Sequence, residues 1–198
     1  MELPKKYQKL WQKCSLLLEK SRKADLEHAR ETVNLILSYK GDLTIDKDIL
    51  IPVAMMHDIG HIAILPEHFK YVTGPKKITN GKLVHMLAGA KIAKDVLESV
   101  KYDGKKSQEI VDIISMHDSD ALKGIDWKKV YNTKNKKLFH DFDRLDRFSQ
   151  KRISNVSEFY KSKADKENLR KVIFESLDLF FYKEFKETAK QNFQKLDI

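Results

Sequence analysis

The chain has 198 residues and carries 38 Lys and Arg against 29 Asp and Glu, a formal net charge of +9. A hydrophobic share of 41% beside 34% charged residues speaks for a globular chain and against a disordered one, and seven Gly with four Pro exclude a low-complexity chain. The one cysteine, Cys14, excludes an internal disulfide and a Cys-based zinc cluster, and it fits a reducing compartment.

The periodicity predicts helices nearly throughout. Leu3, Tyr7, Leu10, Trp11, Cys14, Leu17 and Leu18 step by threes and fours, marking one apolar face of an N-terminal helix over about 3–20. Leu26, Ala29, Val33, Ile36 and Leu37 repeat the pattern, with Gly41 as a stop. Asp46 is placed to cap a third helix ending near Gly60, with Pro52 requiring either a start near Leu50 or a bend. From Leu65 to Gly81 the Pro and Gly residues predict a long loop bearing Lys70, Lys76 and Lys77. Helices are expected from about Lys82 to Val100, Lys105 to His117 and Lys136 to Gln150. A long last one is expected over about 164–194, striped by Leu169, Val172, Ile173, Leu177, Phe180, Phe181 and Phe185. No alternating strand pattern, repeat or linker stands out. The expectation is a single all-α domain over residues 1–198.

No apolar run approaches the roughly 18 residues of a membrane span, and the charged stretch Met1–Lys13 argues against a secretion signal. The expected compartment is therefore the cytoplasm. The positive charge is mostly scattered Lys, which reads as a solvated surface. It still favours anionic ligands by long-range attraction.

Most of the seven His residues fall at core-facing positions of different helices. His57 is followed by Asp58 in a Met-Met-His-Asp-Ile-Gly-His run that closes an apolar helix. Ionisable groups there are costly unless paired or bound to a metal. His28 shares a stripe with Thr32 and Leu35, His85 precedes the small residues Ala88 and Gly89, and His117 continues the stripe of Ile110, Ile113 and Ile114. Asp143 lies in an amphipathic Phe-Asp-Arg-Leu-Asp run with Asp141 and Asp146 as neighbouring alternatives. Successive members from His28 to Asp143 are spaced 26–32 residues apart, which fits one ligand from each helix of a bundle. Any one His alone is better read as a satisfied core or surface residue, as His68 and His140 are. The ordered set of six is the stronger signal, and imidazoles with carboxylates suit divalent ions.

This order resembles the HD-domain superfamily of metal-dependent phosphohydrolases, in which a His, a His-Asp pair and a downstream Asp match His28, His57-Asp58 and Asp143. Asp143-Arg144-Leu145 looks like the end of the family's final motif. Two-metal members add two further His, which His85 and His117 resemble. The resemblance spans residues 28 to about 147, and implies an HD-like helical core over about 24–150 flanked by the first and last helices. The absence of Gly-Tyr-Pro after His117 speaks against the cyclic-dinucleotide phosphodiesterase branch. The absence of Glu-Asp-Thr after Asp58 speaks against the guanosine-tetraphosphate hydrolase branch. The two-metal set also resembles dinucleoside tetraphosphate hydrolases and the di-iron inositol oxygenase branch.

What the resemblance implies is cleavage of a phosphate ester or anhydride, of a nucleotide for preference, by a metal-activated water. His28, His57, Asp58 and Asp143 would hold one ion, and Asp58 would bridge to a second on His85 and His117. Two ions about 3.5–4 Å apart clamp attacking and leaving oxygens. The cofactors expected are one or two divalent ions from among Fe, Mn, Ni, Co, Zn and Mg. His61 would bind phosphate or protonate the leaving group, with a supporting role for the ligands as its alternative. Arg144 would clamp phosphate, against the alternative of pairing with a neighbouring acid. The partner expected is a small anionic phosphorylated molecule rather than a membrane. Two other classes remain: a nucleic-acid-binding module with a structural or degenerate metal site, and a di-iron oxygenase using the same ligands. Against the former, the Lys residues are not interleaved with aromatics.

Overall fold

The computed structural model describes residues 2–22, 24–65, 67–68, 79–157 and 163–197, and among these every regular element is helical, as expected. The elements are α1 (Lys5–Leu18), α2 (Asp25–Ser38), α3 (Lys47–Met56), α4 (Thr79–Ser99), α5 (Gly104–Ile114), α6 (Trp127–Val130), α7 (Lys134–Asp146), α8 (Gln150–Ser157), α9 (Lys163–Glu175) and α10 (Lys183–Phe193). Packing divides the chain into two compact units, residues 1–139 and 140–198, with the boundary inside α7. Among the described residues, no helix is long and apolar enough to cross a membrane.

In the first unit α3 is the central element. Eight of its ten residues, from Ile49 to Met56, are buried. A helix that is apolar all round belongs inside, and α1, α2 and α5 pack against it. Tyr7, Leu10, Cys14 and Leu18 form the buried stripe of α1. The Asp46 side chain accepts from the Asp48 N–H at 2.9 Å, supplying the expected N-cap. Pro52 lies inside the helix rather than at its start. Its ring removes the donor that would serve the Asp48 carbonyl four residues back. The Tyr102 hydroxyl donates to that carbonyl at 2.7 Å, so a side chain from beyond α4 takes over the vacated acceptor. Lys101, at φ 55°, provides the left-handed residue that ends α4, and the Tyr102 N–H closes back on the Leu97 carbonyl at 3.0 Å. Asp103 then caps α5 by accepting from the Lys106 N–H at 2.9 Å.

After Met56 the chain passes through His57 and Asp58 into a 3-10 turn, Ile59–Ala63, which packs on α4. Gly60 makes this possible. A Cβ there would lie 1.8 Å from the His85 carbonyl oxygen and 2.5 Å from the Gly89 nitrogen. Gly89 is the reciprocal small residue: a Cβ there would lie 3.3 Å from the Gly60 nitrogen. The small-residue side of α4 thus admits a backbone, carrying the His-Asp pair against His85. The expected basic rim of Lys70, Lys76 and Lys77 lies outside the described residues.

In the second unit the helix expected over 164–194 is broken. α9 ends at Glu175, a 3-10 turn covers Ser176–Leu179, Phe180 is extended (ψ 138°), and α10 starts at Lys183. The cause is Asp141, whose carboxylate accepts from the Phe181 N–H at 3.0 Å and the Tyr182 N–H at 2.8 Å. These are backbone donors that a continuous helix would have used internally. Leu169, Ile173, Leu177 and Phe185 of the expected stripe are buried, whereas Val172 is exposed. Phe142 meets Phe185 edge to face at 4.7 Å between ring centroids.

Candidate metal centre

Four segments of the first unit bring ionisable side chains together in its interior. α2 carries His28, the end of α3 and the 3-10 turn carry His57, Asp58 and His61, α4 carries His85, and the turn after α5 carries His117. All six are buried. Asp58 sits at φ −93°, ψ 0°, the bridge region common at active sites, and this redirects the chain so that His57 and His61 flank its carboxylate.

Asp58 is the hub. Its Oδ1 lies 3.5 Å from His61 Nδ1, 3.8 Å from His85 Nε2 and 3.7 Å from His117 Nε2. Its Oδ2 lies 3.7 Å from His57 Nε2 and 3.1 Å from the Arg22 guanidinium. The rings interlock as well. His28 meets His57 at 4.9 Å, His57 meets His117 at 5.2 Å, and His61 stacks on His85 at 4.3 Å with 8° between planes.

The backbone settles which nitrogen each ring presents. His57 Nδ1 is 3.1 Å from the Ala54 carbonyl and His117 Nδ1 is 2.8 Å from the Ile114 carbonyl. A carbonyl only accepts, so both Nδ1 atoms carry a proton and both Nε2 atoms face inward, as in metal-binding imidazoles. His61 Nδ1 is likewise held, at 3.0 Å by the Asp58 carbonyl and at 3.2 Å by the Asp25 carboxylate. Its buried Nε2, like the buried Nδ1 of His85, has no hydrogen-bond partner among the described residues. His85 Nε2 and His117 Nε2 approach to 3.3 Å.

The protonation pattern favours a cation. Burial alone would raise Asp58, but His57, His61 and Arg22 outweigh it and hold the carboxyl well below the usual carboxylate range. Burial pushes His85 down to about 3, and it lowers His61 with help from Arg22. An ionised carboxylate ringed by imidazoles is a donor set suited to a divalent transition ion. Two groups in the first unit have ligand atoms within 4.8 Å of one another: Asp58, His61 and His85, and His85, His117 and Asp118.

Four participants escaped the sequence reading. Asp118 Oδ2 is 3.3 Å from His85 Nε2 and 3.9 Å from His117 Nε2. Lys82, one turn before His85, reaches the same oxygen at 2.5 Å. Arg22 and Asp25 pair at 2.7 Å behind Asp58 and His61. A signal existed for Asp118: His117-Asp118 repeats the His-Asp dipeptide of residues 57 and 58. Lys82, Arg22 and Asp25 carry none, since each is an ordinary charged residue in an amphipathic segment.

The remaining expected residues belong to the second unit. Asp143 is buried on α7 and lies 3.8 Å from the Arg147 guanidinium. Asp141 is already engaged by the Phe181 and Tyr182 amides and by His140 at 3.0 Å. Asp146 accepts from the Ser149 hydroxyl at 3.2 Å. Arg144 is buried, its guanidinium 3.1 Å from His140 Nε2. His68 is exposed.

The HD domain family matches residues 25–148. No curated protein and no solved structure matches the chain significantly. The match takes in the whole of the ordered His/Asp set, His57, His85 and His117 converge on the Asp58 carboxylate with His28 against the His57 ring, and the chain belongs to the HD domain family.

Proposed function

We propose that this protein is a metal-dependent phosphohydrolase acting on a phosphate ester or anhydride of a small nucleotide. The observation that carries the reading is the buried Asp58 carboxylate, held ionised while imidazoles from α3, the 3-10 turn, α4 and the turn after α5 close around it. A structural ion pair alone would not need so many imidazoles turned inward.

In this reading His28, His57 and Asp58 hold one divalent ion. His85 and His117, with Asp58 between the two positions, form the place for another. When bound, the ion supplies a Lewis acid for a phosphoryl oxygen and a lowered pKa for water. The protein's own groups do the rest. The Ala54 and Ile114 carbonyls fix the tautomers of His57 and His117, Arg22 anchors the free side of Asp58, and burial keeps water out of the ligand set. His61 is neutral, with Nε2 available to take or return a proton. Arg144 is seated against His140.

The test is to determine bound metals by emission spectroscopy and to follow phosphate or nucleoside release from a nucleotide panel with added Mn, Fe, Ni or Co. Activity is expected, and is expected to vanish in Asp58→Ala with unchanged circular dichroism. Metal-loaded protein that is inactive on every phosphate ester but consumes oxygen with a polyol would replace this reading by an oxygenase. Metal-free protein that shifts DNA or RNA in a gel would replace it by a binding module.

A further inference from the structure

We infer that Lys82 sets the number of metal ions this centre holds, its ammonium standing at the His85–His117–Asp118 group in place of a second divalent ion. The inference rests on the metal-centre reading above and concerns the second position.

Three observations carry it. First, the group is chemically complete for a cation: Asp118 Oδ2 is 3.3 Å from His85 Nε2, and His85 Nε2 is 3.3 Å from His117 Nε2. Second, the same Asp118 oxygen that faces both imidazoles is the one bonded by Lys82 Nζ, at 2.5 Å. An oxygen holding an ammonium at that distance has its charge engaged by a cation supplied from within the chain. Lys82 precedes His85 by three residues on α4, so its side chain rises from the same face of the helix.

Third, the charges nearly balance without a second ion. Asp25, Asp58 and Asp118 are opposed by Arg22 and Lys82, which leaves one net negative charge from these groups in the first unit's cluster. One divalent ion already covers that charge. A second would add two positive charges beside a resident ammonium in a buried site, where unbalanced charge is costly. Removing the ammonium reverses the sign of that argument: Asp118 becomes an ionised ligand with two imidazoles beside it and one cation fewer facing it.

The measurement is metal stoichiometry, independent of any activity. The full-length protein, stripped with a chelator, is titrated with Mn2+ by calorimetry, and the bound metal is counted by emission spectroscopy after desalting. The wild type is expected to hold one equivalent and Lys82→Met two. Lys82→Arg, which keeps the charge, is expected to stay at one, and Lys82→Met with Asp118→Asn to return to one. Lys82→Gln is the second neutral variant should Lys82→Met fail to fold. Two equivalents in the wild type, or one in both neutral variants, would overturn the inference while leaving the metal-centre reading intact. No metal in any variant would overturn both.

Discussion

Gly60→Ala separates the backbone's contribution from that of the ligands. The added Cβ would sit 1.8 Å from the His85 carbonyl oxygen, and Cβ contacts shorter than 3.0 Å are essentially never found. The 3-10 turn and α4 must therefore part by about 1.2 Å. Both sides of the clash are backbone, so no side-chain rotamer relieves it. Overpacking of this kind costs roughly 1–3 kcal/mol, and with no soft partner the upper end applies. At about 2–4 °C per kcal/mol for a chain of this size, Tm should fall by about 6–12 °C. The same separation pulls Asp58 and His61 from His85, now 3.8 Å from Asp58 and stacked at 4.3 Å on His61. Functional constellations tolerate about 0.5 Å, so Mn2+ affinity should drop at least about tenfold. Differential scanning calorimetry and metal titration read the two effects. The control is Gly104→Ala, where a Cβ meets nothing within 4 Å and the residue opens α5; it should leave Tm unchanged or raise it, since Ala gains roughly 0.5–1 kcal/mol over Gly in a helix. A Gly60→Ala protein with the wild-type Tm and metal affinity would refute the reasoning.

The remaining expectations concern pH, thiol reactivity and a strained residue. His85 is pushed down to about 3 in the fold, against about 6.5 when unfolded. The unfolded chain thus binds a proton the native state refuses, and the metal-free protein should lose stability as pH falls from about 6.5 toward 3. Urea titrations at pH 7 and 5 check this, and His85→Gln should flatten the slope; a slope equal to the wild type's would count against it. Cys14 is fully buried and burial pushes its thiol up to about 12, so Ellman's reagent should label it only after denaturation, and prompt stoichiometric labelling of the native protein would contradict that packing. Lys101 at φ 55° is a left-handed residue with a side chain, so Lys101→Gly should stabilise by up to about 1 kcal/mol, visible as a higher urea midpoint; a lower midpoint would show that its side chain contributes more than the strain costs.

Much of the architecture was legible because it depends on local periodicity. The stripe of α1, the Asp46 cap and the apolar α3 follow from spacing and side-chain chemistry alone. The break at Phe180–Tyr182 was not legible, because the apolar stripe runs straight through it. What stops the helix is the Asp141 carboxylate, forty residues away in sequence, taking two backbone donors. Pro52 shows the same limit: the sequence predicts a start or a bend, and the donor that lets the helix continue is Tyr102, fifty residues on.

The centre divides in the same way. An ordered series of His and Asp at near-even helical intervals was enough to nominate His28, His57, Asp58, His85 and His117, because ionisable residues on apolar faces are rare unless something neutralises them, whereas the choice of Asp143 over Asp141 and Asp146 came from the resemblance of Asp143-Arg144-Leu145 to the family's final motif. Order alone says nothing about orientation or about the charges that share the site. Which imidazole nitrogen turns inward is decided by the Ala54 and Ile114 carbonyls. That Arg22, Asp25, Lys82 and Asp118 belong to the same electrostatic cluster is decided by the packing of the 3-10 turn on α4. Residue type and spacing determine which groups can be buried, while the distances between charges, and hence their protonation and the cations they accept, exist only once distant segments are packed together.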